Sequence, residues 1–171
     1  VVIGTSSPSS DNGTTTVLHV GSSSKSAAGL VLEDDENKWE ILSNGSLSIL
    51  DGSSERMTID SSGNVGIGIT PSAWAASSTA LQVGSYAGLS RNDALGAGDL
   101  SYNAYLTTPV SDSWSRMITN ASTRIHQRDG AMQFKYAASG AAGSAITWNE
   151  AMRIDSSGNV GIGVVPFTNT L

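Results

Sequence analysis

The chain has 171 residues, a formal net charge of −6 and no cysteine. Charged residues make up only 14% of it, against about 25% in ordinary soluble domains, and Ser, Thr, Asn, Gly and Ala fill the difference. The acidic balance and the lack of a Lys/Arg cluster argue against binding nucleic acid, no run approaches the ~18 apolar residues of a membrane-spanning helix, and the missing thiols exclude disulfides, thiol catalysis and thiolate metal sites.

The chain opens on Val1-Val2-Ile3-Gly4, a truncated copy of an element that returns twice. Residues 55–68 read ERMTIDSSGNVGIG and residues 150–163 read EAMRIDSSGNVGIG, identical at twelve of fourteen positions. A proline follows each copy: Pro8, Pro71 and Pro166. Ten residues after the first two prolines stands an L-x-V-G tetrad, Leu18-His19-Val20-Gly21 and Leu81-Gln82-Val83-Gly84. Repetition of this kind implies modules that open with L-x-V-G and close with V-G-I-G. The modules are 15–70 and 79–165. Residues 1–14 are the end of a preceding repeat and its linker, 71–78 a linker rich in Ser and Ala, and 166–171 the start of the next linker.

Alternation and turn chemistry predict an all-β fold of short hairpins and meanders. In module one, apolar residues at 30–32 run into a turn at Glu33-Asp34-Asp35-Glu36-Asn37, and Trp39, Ile41 and Leu42 return. Asn44-Gly45 is a strong hairpin turn. A strand over 47–50 and a turn over 51–54 follow. The closing element is itself a hairpin. Met57 and Ile59 share one face with Val65 and Ile67, Asp60, Gly63 and Asn64 form the turn, and Gly66 and Gly68 leave the opposite face bare for the close approach of another backbone. The second copy repeats this with Met152, Ile154, Asp155, Gly158, Asn159, Val160, Gly161, Ile162 and Gly163. Module two is more aromatic, with strands predicted at 80–84, 100–106, 114–119, 123–128, 131–137 and 145–148 and a hairpin turn at Asp129-Gly130. Ala-rich stretches at 72–80 and 137–145 suit a helical turn, weakened by Ser and Gly.

The run RMTIDSSGNVGIG, followed by Pro and then L-x-V-G, resembles the repeat of bacteriophage tail-fibre proteins. The module-two run LQVGSYAGL…ASTRIHQRDGAMQFKYAASGAAGSAITWNEAMRIDSSGNVGIG and the segment EDDENKWEIL…LSILD are similar to modules of the same fibres, so the resemblance spans nearly the whole chain. It implies an elongated homotrimeric fibre located on the virion, outside the cell. Such a fibre contacts other virion proteins and links the particle to the host surface. The chain would be shaft or shaft-proximal, with a head or collar fibre and a carbohydrate-binding adhesin as the alternatives.

Chemical sites are weak by comparison. Asp60 with Asn64, and Asp155 with Asn159, suit Asx turns better than Ca²⁺ loops, which need more oxygen donors. Ser22-Ser23-Ser24-Lys25 matches S-x-x-K without its companion motifs. Gly66-Ile67-Gly68 and Gly96-Ala97-Gly98 do not extend to a dinucleotide loop. His19 and His126 lie in different modules, so neither a triad nor a zinc site is expected within one chain. Asp129, Glu150 and Asp155 read as turn acids sooner than as a glycosidase pair. No enzyme activity and no cofactor are expected. Tyr102, Tyr105 and Trp114, near Ser, Asn and Asp, suit contact with a host surface glycan if their rings are exposed, and otherwise fill the core of a thin module.

Overall fold

The computed structural model describes residues 28–33 and 38–163. The first repeat copy, His19 and its tetrad, Ser22 to Lys25, the acidic residues at 34–36 and the linkers at 5–14 and 166–171 lie outside the described residues.

All regular structure among the described residues is β. Strands β1 (Ala28–Glu33), β2 (Lys38–Ser43), β3 (Leu47–Asp51), β4 (Ser54–Ile59) and β5 (Val65–Ile67) form an antiparallel meander, each beside the next. β6 (Ser78–Val83) then lies parallel to β5, with Val65 opposite Leu81, Gly66 opposite Gln82 and Ile67 opposite Val83. Antiparallel pairing resumes with β7 (Ala87–Asn92) and β8 (Ala97–Tyr102). The chain leaves the sheet to form a small two-stranded sheet, β9 (Tyr105–Thr108) with β10 (Ser113–Ser115). It returns beside β8 as β11 (Asn120–Arg128), followed by β12 (Ala131–Gly140), β13 (Asn149–Ile154) and β14 (Val160–Ile162). Both modules therefore share one mixed sheet of twelve strands. The V-G-I-G and L-x-V-G motifs are the two strands that join them.

Local chemistry accounts for the turns. Asp129 (φ 53°) and Gly130 (φ 76°) both adopt the left-handed conformation that a two-residue hairpin loop of type I′ requires. Gly45 holds φ 94° in the β2–β3 turn. Gly68 and Gly163 are also left-handed, at φ 67° and 69°, where the chain turns out of the closing hairpin. Conformation, not close approach, explains these two glycines. Close approach does explain Gly66. A Cβ there would overlap the carbonyl oxygen of Ile69 and lie 2.9 Å from Pro71 Cδ. The backbone that comes near is the chain's own crossover.

That crossover is not a bare linker. Trp74 and Ala75 are buried in the core, and Ser78 already belongs to β6. The remaining differences lie in module two. Strand β7 is additional to those expected, because A-G-L-S-R-N offers only one large apolar residue. The predicted strand at 100–106 is broken between β8 and β9, where Asn103 adopts φ 53°. The strand expected at 114–119 ends at Ser115. Residues 145–148 contribute a single bridge, Ser115 to Ala145. Neither Ala-rich stretch is helical: residues 78–80 and 137–140 are strand.

The core lies on one face of the sheet, within module two. Trp74, Ala75, Ala80, Ala104, Leu106 and Trp114 are buried there, with Tyr105, Met117, Ile146 and Trp148 packed against them. Trp74 meets Trp114 edge-on at 6.1 Å, and Trp114 meets Trp148 at 6.2 Å. The crossover, β9 with β10, and the segment before β13 lay these rings on strands whose own side chains are small. Gly88 is one such place: a Cβ there would stand 3.0 Å from the Trp74 ring.

The Gly66 contact gives a direct test. Gly66→Ala should cost about 1–3 kcal/mol through overpacking and lower the thermal midpoint by several degrees. Gly98→Ala, where no atom lies within 4 Å of the added Cβ and φ is not positive, should leave the midpoint almost unchanged. Equal midpoints for the two variants would remove the packing explanation for Gly66.

Candidate functional site

The two closing hairpins are near-superimposable in their bonding. In the first, Asp60 Oδ1 accepts from Ser62 N at 2.8 Å and Asn64 N at 2.9 Å, and Asp60 Oδ2 accepts from Asn64 Nδ2 at 2.9 Å. In the second, Asp155 Oδ1 accepts from Ser157 N and Asn159 N, both at 2.9 Å, and Oδ2 from Asn159 Nδ2 at 3.0 Å. The Asn159 amides, side chain and backbone, hold the Asp155 carboxyl below its ordinary range. Both pairs are thus Asx-type turns whose carboxylates are occupied by protein donors. Their surroundings differ. Asn64 is 1% exposed and its Oδ1 accepts from Ala80 N at 3.0 Å, while Asn159 is exposed.

Cross-strand register places the repeat's apolar residues in rows. One row passes through Leu47, Ile59, Val65, Leu81, Leu89, Leu100, Ile125, Phe134, Met152 and Ile162, each opposite the next on the neighbouring strand. A second row runs beside it through Leu30, Ile41, Ile49, Met57, Ile67 and Val83 to Ala87 and Tyr102. Among the described residues nothing covers them. Leu89 is 57% exposed, Leu100 51% and Ile162 74%, and Met57, Ile59, Val65, Met152 and Ile154 are only half-buried. A shallow groove of about 510 Å³ opens in this face between Leu100, Tyr102, Ile125, Phe134 and Tyr136.

The covered face is the polar one. Ser48, Thr58, Gln82, Ser90, Asp99, Ser101, Ser122, Arg124 and His126 are buried on it. Its centre is an ionic cluster carried by β8 and β11. Asp99, 1% exposed, bonds His126 Nδ1 at 2.8 Å, and Arg124 Nη1 lies 3.5 Å from the same oxygen. Arg124 also reaches Asp112 through both terminal nitrogens, at 2.9 and 2.5 Å. The guanidinium lies 4.9 Å from the ring centroids of both Trp114 and Trp148. Trp114 Nε1 completes the set by donating to Asp112 at 2.7 Å. Burial alone would raise the Asp112 carboxyl, but bonds from Arg124 and Trp114 and the Arg124 charge hold it below the ordinary aspartate range. Among the described residues no hydroxyl is bonded to His126, whose ring is held by Asp99. What the cluster does is tie the β9–β10 excursion to the main sheet.

The residues considered for glycan contact are not brought together. Trp114 is 1% exposed and Tyr105 packs edge-on against Trp74, so both fill the covered core. Tyr102 stands on the opposite, open face, stacked on Tyr86 at 5.3 Å. Asp129 and Asp155 hold hairpin turns, and Glu150 is paired with Arg153 through two bonds of 2.6 Å. The Asp99–Arg124–Asp112 cluster was not visible in the sequence, since its members are separated by intervening strands. The one cue was a charged residue on the polar side of each of two strands. Neither a protein-family model nor a curated protein sequence matches this chain. The fold and site define a class: an all-β repeat protein whose sheet, among the described residues, has one polar, covered face and one apolar, open face.

Arg124 is fully buried, so removing a counter-ion has a calculable consequence. Asp112→Asn should cost about 3 kcal/mol near neutrality. Because the Asp112 pKa is lowered on folding, its contribution is complete above the ordinary aspartate range and fades as pH falls through the lower folded value. Urea titrations from pH 7 down to pH 2 should therefore show the gap between wild type and variant closing below about pH 4. A gap independent of pH would contradict the charge-pair assignment.

Proposed function

We propose that this chain is a structural segment of a homotrimeric virion fibre, of tail-fibre shaft type, that links a phage particle to its host. The observation that carries the reading is the uninterrupted apolar row on the open face, crossing ten strands from β3 to β14. Monomeric soluble proteins rarely expose contiguous apolar patches above about 600 Å², and larger ones mark interfaces. The row is too regular for an incidental patch, since it keeps its register across the parallel junction of the two modules. Strands spaced ~4.8 Å apart make a twelve-strand sheet roughly 50 Å from edge to edge, and the row runs along that dimension. Three such faces turned inward would bury one another about a common axis and leave the polar faces, with their coverings, outward.

Sedimentation velocity with light scattering at micromolar concentration tests this. An elongated particle of three times the chain mass is expected. Leu89→Glu with Leu100→Glu, which are cross-strand partners, places two carboxylates in the row at positions already solvent-exposed. The double variant should keep its β circular dichroism and sediment as a monomer. A wild-type protein that is itself a compact monomer would overturn the proposal.

A further inference from the structure

The chain contains the same closing hairpin twice, once with a strand docked on its outer edge and once, among the described residues, without. From this comparison we infer that β14 is a docking edge for a parallel L-x-V-G strand, with Asn159 as its anchoring residue.

The occupied copy shows how the edge is read. Gly68 N donates to Arg56 O, which makes Gly68 and Arg56 a hydrogen-bonded pair of the β4–β5 ladder. In an antiparallel ladder such pairs alternate with non-bonded ones, so Val65 and Ile67 direct their main-chain groups outward. Those groups receive β6, and Gly84 N donates to Ile67 O at 3.0 Å. Asn64 fixes the register from the side. Its Nδ2 is held by Asp60, which aims Oδ1 at the incoming strand, and Oδ1 takes the Ala80 N–H. Leu81 and Val83 then extend the two apolar rows by one strand.

The second copy has every part of this receptor. Gly163 N donates to Ala151 O at 2.9 Å, so Val160 and Ile162 direct their main-chain groups to the outer edge. Asn159 Nδ2 is held by Asp155 as Asn64 is by Asp60. Gly161 is buried, as Gly66 is. Residues 164–171 read VVPFTNTL, which keeps the proline and contains no L-x-V-G tetrad. The occupant is a strand of that tetrad, preceded by a residue whose amide meets Asn159 Oδ1. It would bring its leucine opposite Val160 and its valine opposite Ile162. A glycan or an antiparallel strand would not satisfy both the outward main-chain groups and the Asn159 oxygen in this register. The inference concerns how modules join end to end and does not depend on the number of chains in the particle.

A tethered strand makes the test decisive, since a short linker gives an effective concentration near millimolar. The chain is extended after Pro166 by a copy of residues 72–92, and amide hydrogen exchange is read at Val160 and Ile162. Exchange at both should slow at least about tenfold relative to the unextended chain, approaching that of Val65 and Ile67. Protection at Phe134 and Met152 serves as the internal control that module two is folded. The gain should vanish when Asp stands in place of the copied Leu81 and Val83. It should also vanish with Asn159→Ala, measured against the unextended chain carrying the same substitution. Unchanged exchange at Val160 and Ile162 in a folded extended chain, or a gain that survives both controls, would overturn the inference.

Discussion

Twelve strands in one sheet present two faces, and the bulk of the side chains on one of them decides which is covered. On the polar face of module two the strands carry Gly88, Ser90, Ser101, Ser122 and Ala80, which leave a shallow trough. Three indoles from outside the main sheet fill it. The packing of Trp74 and Trp114, with Trp148 against them, on this face is the interaction on which the rest rests, because it fixes the crossover, the β9–β10 excursion and the segment before β13 at once. With that face filled from within the chain, the large aliphatic residues are left on the other. The usual arrangement of an antiparallel sheet, apolar side covered and polar side open, is reversed.

A covered face that is polar needs its charges answered. Arg124 is answered twice electrostatically, by Asp112 and Asp99, and twice by aromatic faces. Asp99 in turn is shared with His126. Buried ion pairs of this kind add little net stability, but they penalise any packing in which a partner is missing. The cluster therefore specifies where the excursion docks more than it strengthens the docking. Module one has no indole or ionic cluster over this face among the described residues, where the start of the crossover lies against Gly66. There the polar face is held by short hydroxyl and carboxylate contacts, such as Ser48 and Thr70 to Glu55.

Much of this was readable from the residues, and the part that was not has a common cause. Period-two alternation and Asn-Gly, Asp-Gly and Asp-x-x-Gly-Asn turns located the meander of module one and both closing hairpins. These are local properties of a few consecutive side chains. The faces of Met57, Ile59, Val65 and Ile67 were also legible, since alternation alone puts them together. Which face would be covered was not legible, because that depends on Trp74 and Trp114 arriving from segments distant in sequence. The composition of 71–78 suggests a joint, and only the fold shows Trp74 anchoring it. Likewise β7 has weak alternation of its own and exists because β6 and β8 flank it. The break at Asn103 follows from a side chain that bonds Ile118 N, Ile118 O and Ala121 O across the excursion, a set of contacts that spacing does not reveal. The glycan-contact residues failed to converge for the same reason: Tyr102 and Trp114 occupy opposite sides of one sheet.

Among the described residues the order of strands in the large sheet follows the order of the chain, with β9 and β10 as the single detour. Each described strand after β1 therefore finds its first neighbour among residues made shortly before it, and none of the described pairings waits for a distant segment to be synthesised. Loop-closure entropy is small at each step, and folding dominated by near-neighbour contacts is fast. Growth of the sheet can keep pace with the ribosome, one hairpin at a time, each completed strand serving as the template for the next. A polypeptide built this way can be lengthened almost without kinetic penalty, which is the condition a very long protein of repeated modules has to meet.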